Sequence, residues 1–164
     1  MDFFIKDLSD IDVKKIINRE SVIIGLDVGD KTIGVAVSDR RIKIASALTA
    51  INRNNTNHDY DCLINTIKPY NPGLIIFGWP LQMNGLPSSQ CEKILKFMKK
   101  LSEHIEIDFA KWDERFSTKI IDNIMIEADL SRKRRKQVID KTAAVYILQG
   151  AIDFLNRRSL ENFQ

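Results

Sequence analysis

The sequence contains little cysteine, proline or glycine: two, four and seven residues respectively in a chain of 164. Because Cys62 and Cys91 are the only two cysteines, a framework of disulfides is excluded, and we expect reduced thiols and a cytoplasmic location. No apolar run approaches the roughly 18–20 residues that a membrane-spanning helix requires. Acidic residues interrupt the first apolar stretch, so we expect neither a secretory signal nor a membrane as partner.

A dominant charge of one sign is also absent, since the chain has 25 lysines and arginines and 22 aspartates and glutamates, which gives a net charge of +3. This balance does not by itself identify a partner. The hydrophobic share of 44% is sufficient for one core and excludes a mainly disordered chain. We therefore expect one folded domain at 21–158, with a helical N-terminal extension at 1–20 and a short tail at 159–164.

The apolar pattern predicts three strands followed by alternating helices and strands. The first three strands are expected at 22–26, 32–37 and 42–48, and the short turns between them require antiparallel pairing. Helices are then predicted at 60–67, 89–101, 117–125 and 137–155, and strands at 74–77 and 105–109. The predicted fold is therefore α/β: a mixed five-stranded sheet, three antiparallel strands and then βα units, flanked by helices. This is the element order of an RNase H-like domain.

Four carboxylates lie at or near the ends of these elements. Asp27 ends the first strand and precedes Gly29, Asp113 and Glu114 follow the last strand, and Asp140 lies in the final helix. Taken singly, Asp27 is typical of a turn, and Asp113 with Glu114 is typical of a helix start. Asp140 instead shares a helix face with the small residues Ala143 and Ala144, which would allow close packing on the sheet, and a buried carboxylate there would need a cation or a hydrogen-bond partner. Taken together, they could converge at one edge of the sheet, where carboxylate oxygens would suit Mg²⁺ or Mn²⁺. No spacing of histidine and cysteine fits a zinc site.

The densest basic run directly precedes the helix that carries Asp140. It comprises Arg132, Lys133, Arg134, Arg135 and Lys136. On charge pattern alone, this run could be a solvated loop between two helices. Its position beside Asp140 favours a role in binding nucleic-acid phosphates, which Lys31, Arg40, Arg41 and Arg115 could extend.

Four ordered motifs resemble those of the YqgF family of RNase H-like proteins. The segment at 26–39 resembles the opening motif of the family, and 78–85 resembles its Gly-x-Pro-Leu loop. The segment at 113–118 resembles its Asp-Glu-Arg motif, and 139–149 its final-helix signature. The resemblance covers nearly all of residues 23–155. Trp79 and Phe116 depart from the family pattern, and an aromatic at either place could stack on a base or simply pack.

The resemblance implies a divalent-metal-dependent endonuclease that acts on RNA in the maturation of the 5′ end of 16S rRNA in the bacterial cytoplasm. The implied partners are precursor rRNA and the precursor of the small ribosomal subunit. The implied catalytic and metal-binding residues are Asp27, Glu114 and Asp140, with Asp113 as the alternative to Glu114. The cofactor would be Mg²⁺ or Mn²⁺. Whether the protein is a monomer or a dimer stays open.

Three other functions fit parts of the sequence. The same site could resolve branched DNA such as a Holliday junction, and binding to structured RNA or to four-way DNA junctions would separate the two. A non-catalytic nucleic-acid-binding module would tolerate replacement of the three acids by amides. An ATP-dependent phosphotransferase also has a glycine-rich hairpin like the one after Asp27, but 164 residues supply only one of the two domains it requires.

Overall fold

A computed structural model describes residues 3–113 and 131–161, with backbone only at 132–141. Its centre is a six-stranded mixed sheet in the order β1-β6-β5-β2-β3-β4. The strands are β1 (Ile5–Lys6), β2 (Val22–Val28), β3 (Thr32–Ser38), β4 (Ala45–Asn52), β5 (Pro72–Trp79) and β6 (Asp108–Asp113). The helices are α1 (Val13–Asn18), α2 (Thr56–Ile67), α3 (Ser89–Ser102) and α4 (Arg132–Glu161).

The predicted fold class is confirmed. Strands β2, β3 and β4 form an antiparallel meander, and β5 and β6 lie parallel to β2 on its other side. The β2–β3 and β3–β4 connections are too short for a parallel crossover, whereas α2 and α3 supply the long crossovers that parallel strands need. The helix predicted at 117–125 lies outside the described residues.

The sheet has six strands rather than the predicted five because the N-terminal segment contributes β1. Ile5 pairs with Phe109 in a parallel ladder, so β1 lies beside β6 at the edge of the sheet. The segment at 1–20 is also not one helix. Asp7 and Asp12 have extended backbones and accept hydrogen bonds from the backbone N–H groups of following residues, so each begins a separate short helical turn.

The two faces of the sheet are covered by different helices. On one face, Leu26 and Phe77 are buried with Leu63 of α2 and Met98 of α3. Neighbouring residues of a strand point to opposite faces, so the strand residues between these point to the other face of the sheet, where they form a second core with α4. That second core contains Ile23, Ile76 and Ala110 of the sheet with Ala144, Leu148 and Ile152 of α4.

Helix α4 packs closely on the sheet and runs antiparallel to β2. A Cβ atom on Gly25 would lie 2.7 Å from Leu148 Cβ, so only glycine allows this approach. Farther along α4, the side chain of Gln149 accepts a hydrogen bond from Ala45 N at 2.8 Å, and Asn156 donates to the Ile42 carbonyl at 2.9 Å. Ala45 and Ile42 both lie near the first residues of β2. The later turns of α4 therefore lie near the first residues of β2, and its first turns lie near the last residues of β2.

Two sequence expectations about α4 are corrected. The helix begins at Arg132 rather than near 137, so the basic run forms its first turns and is not a loop between helices. Arginine, lysine and glutamine are good helix formers, and no glycine or proline interrupts the run. The helix continues to Glu161, beyond the predicted helix end at 155. Within the described parts of the chain, no helix combines the length and apolar character needed to cross a membrane.

Candidate functional site

Three parallel strands, β2, β5 and β6, end side by side on the same side of the sheet. We call this row of strand ends the Asp27 edge. Leu26 of β2 is level with Phe77 of β5, and Trp79 of β5 is level with Asp113 of β6. Asp27 and Asp113 therefore lie at this same edge, separated by β5. At about 4.8 Å between neighbouring strands, their backbones are roughly 10 Å apart. This edge is where ligand sites are commonly built in sheets with parallel strands.

The side chains of Asp27 and Asp113 leave the sheet on opposite faces. Leu26 lies in the core under α2 and α3, so its neighbour Asp27 points to the α4 face, where it is half-buried. Asp113 is the ladder partner of Trp79, which belongs to the α2–α3 core, so Asp113 shares that face and is exposed. Asp27 and Asp113 do not form one carboxylate pair.

The backbone of α4 brings Asp140 towards the Asp27 edge. Asp140 lies one helical turn before Ala144, whose carbonyl oxygen would be 3.0 Å from a Cβ on Gly25. Four helical residues advance about 6 Å, and the two strand residues from Gly25 to Asp27 advance about 7 Å in the opposite chain direction. Asp140 is therefore level with Asp27 along the sheet, and its role as a ligand stays a prediction.

The side chains of several other predicted site residues are not among those that the structure describes. Glu114, Arg115 and Phe116 lie outside the described residues. The backbone at 132–136 forms the start of α4 and therefore lies towards the Asp27 edge. Among the described side chains, no group of three or more His, Cys, Asp or Glu could hold a metal ion.

The turn that follows Asp27 is held by hydrogen bonds at both of its ends. Gly29 N donates to the Thr32 carbonyl at 2.9 Å, and a Cβ on Gly29 would be only 3.0 Å from that oxygen. Arg53 N donates to the Lys31 carbonyl at 2.9 Å, and Arg53 Nη1 donates to the Gly29 carbonyl at 2.8 Å. Lys31 is exposed at this turn, as its predicted contact with phosphate requires.

A third contact joins the turn to α3. Lys93 Nζ lies 3.3 Å from Asp30 Oδ1, and both side chains are exposed. Hydrogen bonds from Gln90 and Lys93 hold the pKa of the Asp30 carboxyl below its ordinary value. Since solvent screens an ion pair between two exposed side chains, this contact is a minor constraint on the turn.

Sequence reasoning missed Arg53 and misjudged two other basic residues. Nothing in the sequence shows that Arg53 reaches the Gly29 carbonyl, because that contact depends on the pairing of β3 with β4. Arg40 and Arg41 lie in the β3–β4 turn, at the opposite edge of the sheet from Asp27, so they do not extend the predicted phosphate-binding patch.

Trp79 is a packing residue and does not offer its ring to a base. Its side chain is 8% exposed, lies in the α2–α3 core, and meets the Phe77 ring edge-on. The Lys111 Nζ atom lies 4.8 Å from the centre of its ring. After Trp79, the loop at 80–88 holds Met83 and Leu86 in solvent, 68% and 59% exposed, at the same edge as Asp27.

Comparison with known families and proteins gives consistent matches. The family described as "RuvX: Holliday junction resolvase" matches residues 21–154. A protein named "Putative pre-16S rRNA nuclease" from Clostridium botulinum is 42% identical over 135 residues, which are 82% of this chain and 98% of that protein. A protein of the same name from Thermoanaerobacter pseudethanolicus is 47% identical over 132 residues, 80% of this chain and 95% of that protein.

A solved structure shares the fold. The structure titled "T. thermophilus RuvC in complex with Holliday junction substrate" superposes with a TM-score of 0.54 over 85% of this chain and 96% of that chain. Its sequence identity is 12%, so the likeness supports the architecture alone.

Proposed function

The chain belongs to the RuvX family of Holliday junction resolvases, and on that premise we propose that it is a divalent-metal-dependent endonuclease that hydrolyses RNA phosphodiester bonds. Its relatives named for pre-16S rRNA cleavage match it over nearly their whole length. Its task would be maturation of the 5′ end of 16S rRNA in the cytoplasm, on the precursor of the small ribosomal subunit. The observation that carries the proposal is the half-buried Asp27 at the strand edge, with Asp140 level with it on α4.

The residues proposed as metal ligands are Asp27, Glu114 and Asp140. They offer only carboxylate oxygens, the donors that Mg²⁺ and Mn²⁺ prefer. Asp27 lies in β2 and Asp140 in α4, and Glu114 follows the last residue of β6 in the sequence. The exposed position of Asp113 on the opposite face makes it the weaker candidate. When bound, such an ion activates water and neutralises charge on the phosphodiester that is cleaved.

The chain's own basic residues would bind and orient the nucleic acid. Lys31 is exposed at the turn that follows Asp27, and the run at 132–136 begins the helix that carries Asp140. Lysine and arginine at these places would hold backbone phosphates next to the carboxylates, and Arg115 is proposed for the same role. Such contacts fix the position of the strand without selecting its sequence.

The second candidate is resolution of branched DNA, and the family description favours it. Both reactions cleave a phosphodiester, so the same carboxylates serve either. Binding measured at two salt concentrations, with precursor rRNA fragments and with four-way DNA junctions, separates the candidates. A junction bound much more tightly than RNA at equal salt would favour the second.

The decisive experiment is cleavage of precursor 16S rRNA with Mg²⁺ or Mn²⁺ by the wild type and by Asp27→Asn. We expect the variant to lose about a hundredfold or more in rate, because one ligand of a catalytic metal contributes several kcal/mol to the transition state. Asp61→Asn, an exposed carboxylate on α2, is the matched control and should cut like the wild type. Equal rates for Asp27→Asn and the wild type, with both folded, would contradict the proposed mechanism.

A further inference from the structure

Arg53 joins three parts of the molecule beside the turn that follows Asp27. Its Nε atom lies 3.2 Å from Asp59 Oδ2, and its Nη1 donates to the Gly29 carbonyl at 2.8 Å. Its guanidinium carbon lies 5.0 Å from the centre of the Phe97 ring. The Arg53 side chain is 23% exposed and that of Asp59 is 2% exposed, so this is a largely buried ion pair.

Asp59 is itself fixed, which sets the direction of the guanidinium. Asp59 Oδ1 accepts a hydrogen bond from Asn54 N at 2.9 Å, while Oδ2 faces Arg53. A planar guanidinium can donate from one nitrogen to a carboxylate and from another to a carbonyl while its face covers an aromatic ring. A lysine ammonium at this place could not make all three contacts.

The contacts of Arg53 restrain the Asp27 turn from both sides. Its side chain holds the Gly29 carbonyl and its backbone N–H holds the Lys31 carbonyl. Arg53 contacts Phe97 in the α2–α3 core, whereas the Asp27 side chain points to the α4 face. Arg53 therefore acts on Asp27 through the backbone of the turn and not by direct contact.

We propose that Arg53, held in place by Asp59, is a positioning residue that sets the backbone of the turn at 29–31 and thereby orients the Asp27 carboxylate towards the metal. The inference rests on the proposed nuclease function. A bound divalent ion tolerates little displacement of a ligand, and loss of a supporting contact typically costs 10–100-fold in metal affinity or activity. A purely structural ion pair would instead change only the stability of the fold.

The test compares Arg53→Lys with Lys93→Ala, which removes the exposed ion pair at the same turn. Mn²⁺ binding is measured by calorimetry, and cleavage of precursor rRNA is followed at a temperature where every variant is folded. For Arg53→Lys we expect Mn²⁺ affinity and kcat each to fall about tenfold, with KM for RNA unchanged. Lys93→Ala should match the wild type in all three quantities. Asp59→Asn is the second variant, and a loss in the same direction is expected because its single amide oxygen cannot accept from both Asn54 N and Arg53 Nε.

Amide hydrogen exchange adds a readout that does not depend on activity. In Arg53→Lys, we expect faster exchange at residues 29–32 but not in the core of β5. Arg53→Lys with wild-type Mn²⁺ affinity and kcat, and only a lowered Tm, would overturn the inference, as would equal losses in Lys93→Ala. A wild-type protein that neither binds Mn²⁺ nor cleaves RNA would instead contradict the proposed function, and the inference with it.

Discussion

Asp113 and Glu114 are neighbours in sequence, and Asp113 is the last residue of β6, whose register sets the face of its side chain. Asp113 pairs with Trp79 and so lies on the face opposite to that of Asp27. The sequence alone left the choice between the two acids open, because it did not reveal that Asp113 shares the face of Trp79. The register of β5 and β6 supplies that information for Asp113.

We predict that Asp113→Asn keeps cleavage within about threefold of the wild type, whereas Glu114→Gln loses about a hundredfold, as expected for a metal ligand. Both substitutions remove one charge and keep the size of the side chain, so each serves as the control for the other. Initial rates at saturating Mn²⁺ measure the difference. A larger loss in Asp113→Asn would assign the metal to the opposite face of the sheet.

At the scale of elements, the position of α4 depends on one residue of β2. Gly25 allows the helix to approach, and the second core lies between them. The sequence indicated this contact only in part: the small residues Ala143 and Ala144 at helical spacing predicted close packing, but not the strand residue beneath them. The start of the helix was misplaced because a dense run of charge was interpreted as a loop, although its residues favour helix.

We predict that Gly25→Ala lowers the free energy of unfolding by about 1–3 kcal/mol, because the new methyl group would overpack against Leu148. Denaturant unfolding measures the loss. If the cause is steric, the double variant with Leu148→Ala should be less destabilised than the sum of the two single variants, as a double-mutant cycle would show. Strict additivity of the two effects would exclude the contact as the cause.

At the scale of the whole molecule, the N-terminal segment is an addition to the region that defines the family. The family match begins at residue 21, whereas β1 and α1 precede it, and the segment that contains them contributes Leu8, Val13 and Ile16 to the second core. The sequence did not predict β1, because two residues carry no periodicity and the partner strand is distant in the chain. The central strands were predictable because their apolar runs are buried whatever covers them.

We predict that deletion of residues 1–12 lowers the free energy of unfolding by about 2–5 kcal/mol, since it removes Leu8 and the strand that covers the edge of β6. Leu8 packs near Leu155, towards the end of α4 that lies away from Asp27, so cleavage by the folded variant should be unchanged. Thermal unfolding and cleavage at low temperature check both parts. A truncated protein as stable as the full chain would show that β1 is only loosely attached.

Helix α4 follows every described strand in the sequence and covers β2, the first long strand. Until translation reaches that helix, Ile23, Ile76 and Ala110 of the sheet lack the contacts that Ala144, Leu148 and Ile152 make in the second core. A nascent chain at this stage exposes apolar side chains of the sheet, and such a surface binds chaperones and promotes aggregation. The second core can therefore be completed only after α4 has emerged from the ribosome.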